Sequence, residues 1–267
     1  MPQLVICDID ATLVNEKKEL TPRTKEALIK LHEKGIYFGI ASGRPVDELK
    51  RNKERWDLPF DFDFVMGMNG AELWDGVHQK FYSYFMMEKE WLKETMEIMN
   101  VVECNPMVYW KGKIRCVRID DWMIHSASTS HKELEIVRLE DLYANENAKI
   151  MFRMKEEDMS KAEAWVKAHP NPYYHGFKTQ TTLLEFCDKR INKGYGLQKI
   201  CELNDMDLKD VMAFGDTSND NEMLKVAGCG VCMINGPDDT KACANAITTY
   251  DNDHDGLAIY LEESEIV

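Results

Sequence analysis

Short apolar runs that stop at a polar residue, separated by helix-sized stretches, constrain this chain more than any other feature. Leu4–Cys7 runs into Asp8, Tyr37–Ala41 into Ser42, Phe64–Met66 toward Asn69, and Val211–Phe214 into Gly215-Asp216. Runs this short without polar alternation read as strands covered on both faces. Between the first two, Thr21 and Pro22 open a helix as N-cap and first helical residue. Ala27, Leu28 and Leu31 form its apolar face and Gly35 ends it. A strand–helix–strand unit needs a crossover, so its strands are parallel. The carboxyl ends of such strands share one edge, where ligands bind. Asp8, Asp10, Ser42, Asn69 and Asp216 are therefore expected to converge, with Lys193 opening a helix at the same edge.

The pattern changes in the middle of the chain. Asp75-Gly76 reads as a hairpin turn between Ala71–Trp74 and Val77–Phe81. Glu88–Asn100 and Asp158–His169 read as helices. Met107–Trp110, Ile114–Ile119, Ala148–Met154, Tyr173–Phe177 and Leu183–Cys187 read as strands. This block has the composition of an inserted α+β domain. The parallel style returns with a helix at Lys193–Asn204, the strand Val211–Phe214, a helix around Asn221–Val226 and the strand Cys229–Met233. Asp238–Ala244 reads as helical, Ile247–Thr249 as extended, and a final helix follows Asp255-Gly256. The division expected is residues 1–82 with 188–267 as an α/β core, and 83–187 as the insertion.

The 267 residues, 44% of them apolar, suffice for one large core or two smaller ones. No stretch approaches the roughly 20 apolar residues of a membrane span, and no basic segment precedes the first apolar run as in a signal peptide. A net charge of −14 disfavours nucleic acid and anionic membranes as partners. The eight cysteines are scattered through apolar runs and read as reduced thiols of a cytoplasmic protein. Cys229 and Cys232 have CxxC spacing but no second pair and no nearby histidine, so packing is the simpler reading.

At the predicted edge, Asp8, Asp10, Asp216 and Asp220 bring four carboxylates against one cation, Lys193. Two like charges about 4 Å apart repel by roughly 4 kcal/mol at an effective dielectric near 20. Such a cluster calls for a metal. An all-oxygen donor set suits magnesium, which takes one or two carboxylates, keeps waters and binds a phosphate.

Here the chain resembles the haloacid dehalogenase (HAD) superfamily of phosphatases, in its Cof-type branch. Asp8-Ile9-Asp10-Ala11-Thr12 is similar to the first motif, DxDx[T/V]. Ala41-Ser42-Gly43-Arg44 is similar to the second, Lys193-Gly194 to the third, and Gly215-Asp216-Thr217-Ser218-Asn219-Asp220 to the fourth, GDxxND. Asn69-Gly70-Ala71 and Asp255-Gly256 resemble two further Cof-type signatures. The resemblance implies a Rossmann-like parallel-sheet core with an inserted α+β cap, and a phosphomonoester hydrolase that acts through an aspartyl-phosphate. It implies Asp8 as nucleophile, Asp10 as general acid and base, and Lys193 as counter-charge. Asp8, the Asp10 carbonyl, Asp216 and Asp220 would be the magnesium ligands. Ser42, Gly43 and Asn219 would hold the phosphoryl group, with Arg44 and Asn69 beside it. Small phosphorylated metabolites would be the substrates, sugar phosphates first among them. The branch usually has glycine where this chain has Ala11, so the backbone there is expected not to need positive φ.

Taken singly, these residues have plainer explanations, since aspartate and serine are common caps and turn residues. Arg44 fits a structural ion pair as well as a phosphate contact. Lys111, Lys113 and Arg115 fit a solvated hairpin edge better than a substrate face. Tyr109, Trp110 and Trp122 fit packing better than a sugar pocket. Two other functions share these motifs: a phosphohexomutase, which needs basic cap residues for a second phosphate, and a non-catalytic metabolite-binding regulator, which would not need Asp10.

Overall fold

The computed structural model describes all 267 residues. The chain forms two compact units, Met1–Ser83 with Asn192–Val267, and Tyr84–Ile191. The first unit opens with β1 (Leu4–Asp8), β2 (Tyr37–Ala41), β3 (Phe64–Gly67), β4 (Glu72–Asp75) and β5 (Lys80–Ser83). The second holds β6 (Cys104–Trp110), β7 (Lys113–Cys116), β8 (Glu133–Ile136), β9 (Lys149–Met154), β10 (Tyr174–Gln180) and β11 (Leu183–Asp188). The chain then returns to the first unit with β12 (Val211–Gly215), β13 (Cys229–Cys232) and β14 (Ala246–Ile247).

The first unit carries one sheet of order β14-β13-β12-β1-β2-β3-β4-β5. From β14 to β3 all pairs are parallel, while β4 and β5 run antiparallel at one end. Leu4, Val5, Ile6 and Cys7 have no exposed surface, as expected for a strand with both faces covered. The helix Pro22–Glu33 starts where expected: the Thr21 side chain accepts the Thr24 amide at 3.2 Å, and Pro22 occupies the first turn. It buries Ala27, Leu28 and Leu31, each leucine contributing about 1.5–3 kcal/mol. The parallel register aligns Asp8 with Ala41 and Cys7 with Phe214. Asp8, Ser42 and Asp216 thus leave their strands at the same level.

The second unit carries a six-stranded sheet, β10-β11-β9-β6-β7-β8, antiparallel except between β7 and β8. Its strands alternate. Val108, Phe152 and Leu184 pack with residues of the helices Lys89–Met99 and Glu156–Ala168. Their neighbours Met107, Met151 and Leu183 pack with Met123 of the helix Asp121–Ser130. Lys149 and Glu185, both buried, form an ion pair at 2.9 Å.

Four features differ from the sequence-based expectation. The junctions fall at 83/84 and 191/192 rather than 82/83 and 187/188, because β11 continues to Asp188 and is followed by a turn. Asp75-Gly76 is not a two-residue turn: Asp75 pairs with Lys80, so Gly76–Gln79 form the loop. Strand β7 is not an edge, because β8 pairs alongside it. Lys113 meets Glu133 at 3.0 Å and Arg115 meets Glu135 at 2.6 Å. The helix Asp121–Ser130 and strand β8 were not anticipated. The helix is rich in Ser and Thr, which have weak helix propensity. Its N-cap Asp120, accepting the Met123 amide at 2.9 Å, is the signal that marks it.

Candidate active site

Asp8 is the last residue of β1, and the chain then turns sharply. The amides of Leu13 and Val14 both donate to the Ile9 carbonyl, at 3.0 and 3.1 Å. Asp10 and Val14 form an isolated bridge. This turn requires a left-handed residue, and Ala11 supplies it with φ 59°. The expectation that Ala11 needs no positive φ is therefore wrong: the turn geometry dominates over the side chain. Ala11→Gly is expected to stabilise the protein by about 0.5–1 kcal/mol. Left-handed geometry costs an L-residue about 1–2 kcal/mol, of which glycine's unfolded-state freedom takes back a part. Thermal denaturation checks this; an unchanged or lower Tm would show that the turn stores no such strain.

Lys193 opens the helix Lys193–Leu203, whose N-cap Asn192 accepts the Tyr195 amide at 2.8 Å. Its ammonium is fully buried and lies 2.5 Å from Asp8 Oδ1 and 2.6 Å from Asp220 Oδ1. Asp220 is also fully buried. Its other oxygen, Oδ2, accepts the amides of Asp216 and Thr217, each at 3.0 Å. Gly215 makes this loop possible, since a Cβ there would sit 2.5 Å from Asp220 Cβ. Asp216 accepts the Thr12 hydroxyl at 2.8 Å, which joins the first and fourth motifs. Carboxylate oxygens of Asp8, Asp216 and Asp220 lie within 4.8 Å of one another.

Burial pushes the Asp8 carboxyl up to about 8, against the pull of Lys193 and with the further push of Asp220 and Asp216. Burial likewise pushes Asp216 to about 6, against the Thr12 hydrogen bond. Burial alone would lower the Lys193 ammonium, but Asp220 and Asp8 outweigh it and hold it above the ordinary lysine range. One lysine does not neutralise three buried carboxylates. The donor set is hard oxygen throughout, and it fits a magnesium-type cation.

Asp10 sits differently. Lys18 reaches its Oδ1 at 2.9 Å and Arg44 its Oδ2 at 3.1 Å. Burial works to raise this carboxyl, yet Arg44 and Lys18 prevail and hold it below the ordinary range. Arg44 also pairs with Glu48 at 3.1 Å. Ser42 is buried, its amide held by the Met66 carbonyl and its hydroxyl accepting the Arg44 amide at 3.3 Å. Gly43 follows it in the loop. Asn69, itself left-handed at φ 55°, accepts from Asn219 at 3.4 Å, and Asn219 accepts the Thr217 hydroxyl at 2.6 Å. Sequence reasoning assigned nothing to Lys18 and no contact to Thr12. Lys18 carries no signal before the loop is folded, and Thr12 only its place in the first motif.

Residues 5–261 match the family described as haloacid dehalogenase-like hydrolase. The chain belongs to that family. Among curated proteins it is 27% identical over 272 residues to the 5-amino-6-(5-phospho-D-ribitylamino)uracil phosphatase YitU of Bacillus subtilis, covering 98% of this chain and 97% of the relative. It is 26% identical to YcsE, a phosphatase of the same description from that organism, covering 96% and 93%. Among solved structures it superposes on a haloacid dehalogenase-like hydrolase from Bacteroides thetaiotaomicron with a TM-score of 0.88 at 25% identity, covering 99% and 100%. The HAD subclass IIB sugar phosphatase BT4131 shares the fold, with a TM-score of 0.83 at 23% identity and coverage of 99% and 100%. The enzyme expected from the sequence, a HAD-type phosphomonoester hydrolase of the Cof branch, agrees with that membership. No helix is long and apolar enough to cross a membrane.

Proposed function

We propose that this protein is a magnesium-dependent phosphatase of small phosphomonoesters that works through an aspartyl-phosphate on Asp8. The observation that carries the proposal is the buried Lys193 bridging Asp8 and Asp220, with Asp216 within metal-sharing distance. In the first step an Asp8 oxygen bonds to phosphorus and the bond from phosphorus to the substrate's ester oxygen breaks. Asp10 gives its proton to the departing alkoxide. Approach of the phosphoryl dianion raises the affinity of Asp10 for that proton, opposing Arg44 and Lys18. In the second step Asp10 takes a proton from water, whose oxygen bonds to phosphorus and releases Asp8 and inorganic phosphate. Ser42, Gly43 and Asn219 hold phosphoryl oxygens, with Asn69 setting the Asn219 side chain, and Lys193 balances charge on Asp8. Asp8, the Asp10 carbonyl, Asp216 and Asp220 would hold a magnesium ion, which would supply positive charge to the phosphoryl oxygens.

The unit Tyr84–Ile191 takes the role of a substrate-selecting cap in this reading, and the setting is the cytoplasm. Phosphorylated sugars and sugar alcohols lead as substrates. The names of YitU and YcsE support including phosphoribitylamino compounds among the candidates.

A panel of sugar phosphates, phosphoribitylamino compounds, nucleotides and pyridoxal phosphate tests this. Phosphate release is expected with magnesium, to stop with chelator and to return when magnesium is restored. Release that survives exhaustive chelation would overturn the metal assignment, and no release from any ester would overturn the phosphatase. Magnesium should also raise Tm, and more so above pH 8 than below it. Burial raises the folded carboxyl of Asp8 to about 8, so below that pH the cation must displace a proton. In the metal-free protein, stability from this group is present at low pH and is lost as pH rises toward 8. A magnesium effect that shrinks with rising pH would contradict the sign.

A further inference from the structure

The loop Ala11–Glu19 brings Lys18 to Asp10 yet contains no helix and no strand of the sheet. Within itself it holds only a tight turn. The Asn15 amide donates to the Glu19 carbonyl at 3.1 Å and the Lys18 amide to the Asn15 carbonyl at 2.9 Å, with Lys18 left-handed at φ 63°. Its first residues are anchored by the Ile9 carbonyl, by Asp216 through Thr12, and by the buried Leu13 and Val14, and further contacts come from the far end of the chain. Asn252 Nδ2 donates to the Val14 carbonyl at 3.0 Å. The Glu16 amide donates to Asp253 Oδ1 at 2.8 Å. The Thr21 hydroxyl meets Asp255 Oδ1 just beyond the loop. Asn235 Nδ2 donates to the Ala11 carbonyl at 2.9 Å.

The segment making three of these contacts, Asp251–Gly256, is itself a built turn. The Asp251 side chain accepts the amides of Asp253 and His254, each at 3.0 Å. Asp255 is left-handed at φ 58°. Gly256 is packed so closely that a Cβ there would lie 1.9 Å from the Tyr250 carbonyl oxygen. The Asp255-Gly256 signature is therefore a shape requirement, and the shape aims Asn252 and Asp253 at the loop.

We propose that the Asp251–Gly256 turn is a clamp that positions the acid–base residue. Asn252 and Asp253 fix the Ala11–Glu19 loop, and the loop sets Lys18 against Asp10. The Lys18 side chain is 61% exposed, and exposed ion pairs add about 0–1 kcal/mol to stability at most. The pair's consequence is thus geometric: it fixes where the Asp10 carboxyl points. Asn252 and Asp253 are positioning residues that act through Lys18. This inference rests on the reading of Asp10 as the general acid and base.

The experiment compares two esters with the magnesium-loaded enzyme. An alkyl phosphate has a leaving group that must be protonated as it departs. An aryl phosphate such as p-nitrophenyl phosphate does not need that proton. Asp10→Asn is the reference, and it should lose far more kcat on the alkyl ester. Asn252→Asp keeps size but cannot donate, and Asp253→Ala cannot accept. Each, with Lys18→Met, is expected to lower kcat on the alkyl ester roughly tenfold, given the sensitivity of catalysis to small misplacements. On the aryl ester each should stay within about twofold, with KM little changed on either. Asp253→Asn keeps an acceptor, and Lys18→Arg keeps the charge, so both should restore the alkyl rate. Asp253→Ala combined with Lys18→Met should be no worse than either alone, because both act on one group. Equal losses on both esters, or losses that multiply in the double variant, would overturn the clamp. If Asp10→Asn itself shows no difference between the esters, the acid–base reading falls and the clamp falls with it.

Discussion

Asp8→Asn is expected to lower kcat by about four orders of magnitude or more while leaving the fold in place. A nucleophile removed from a covalent mechanism takes nearly all of the rate enhancement with it. The amide cannot form the acyl phosphate, but it has the size of the carboxylate and keeps an oxygen to accept from Lys193. Burial already disfavours the charge on Asp8, so losing it should not destabilise the magnesium-free protein. Phosphate release would be followed with magnesium present, and the fold by circular dichroism and thermal denaturation. A well-folded variant that turns over at more than about a hundredth of the wild-type rate would remove Asp8 as nucleophile. A variant that fails to fold is checked by Asp8→Glu, which keeps the charge but displaces the attacking oxygen.

Lys193→Met is expected to abolish turnover and to destabilise the protein by about 3–5 kcal/mol, the cost of removing one partner from a buried ion pair. The ammonium is the cation in contact with Asp8 and Asp220; Asp220 has no exposed surface and Asp8 little, so neither relaxes freely into water. Asp220 would be affected most, since its second oxygen stays committed to the Asp216 and Thr217 amides. Magnesium should restore part of the stability, because it replaces positive charge, but not the rate. Lys193→Arg should also fail, since a planar fork does not fit where a compact ammonium bridges two carboxylates. Denaturant unfolding with and without magnesium measures the loss. A stability within about 1 kcal/mol of wild type would show that the carboxylates are neutralised by other means and that Lys193 is not their counter-ion.

The parts of this protein legible in its sequence are those set by local chemistry. Thr21-Pro22 opens a helix wherever it is placed, because the cap satisfies an orphan amide and proline pre-sets φ. The run Leu4–Cys7 had to be a strand covered on both faces, and Lys193 had to open a helix after Asn192. The four motifs in order named the family, and the parallel-strand rule placed Asp8, Ser42 and Asp216 at one edge.

Local chemistry also misled. The helix Asp121–Ser130 forms in spite of its serines and threonines because Met123 is fully buried against Met107 and Met151. The pairing of β7 with β8 turned an expected edge into an interior strand, so Lys113 and Arg115 pair with glutamates of β8. Ala11 is left-handed because the turn after β1 gathers three amides onto the Ile9 carbonyl, a demand the side chain does not control.

By itself, then, the sequence determined the fold class, the family and the set of residues at the sheet edge, because strand periodicity, caps and motif order are properties of neighbouring residues. Only the tertiary structure decided what each of those residues touches. It placed Lys193 between Asp8 and Asp220, set Arg44 and Lys18 on Asp10, and joined Thr12 to Asp216. It also brought Asn252 and Asp253 to a loop more than two hundred residues away in the chain. Those contacts depend on distances between separate strands and loops, which no stretch of sequence encodes alone.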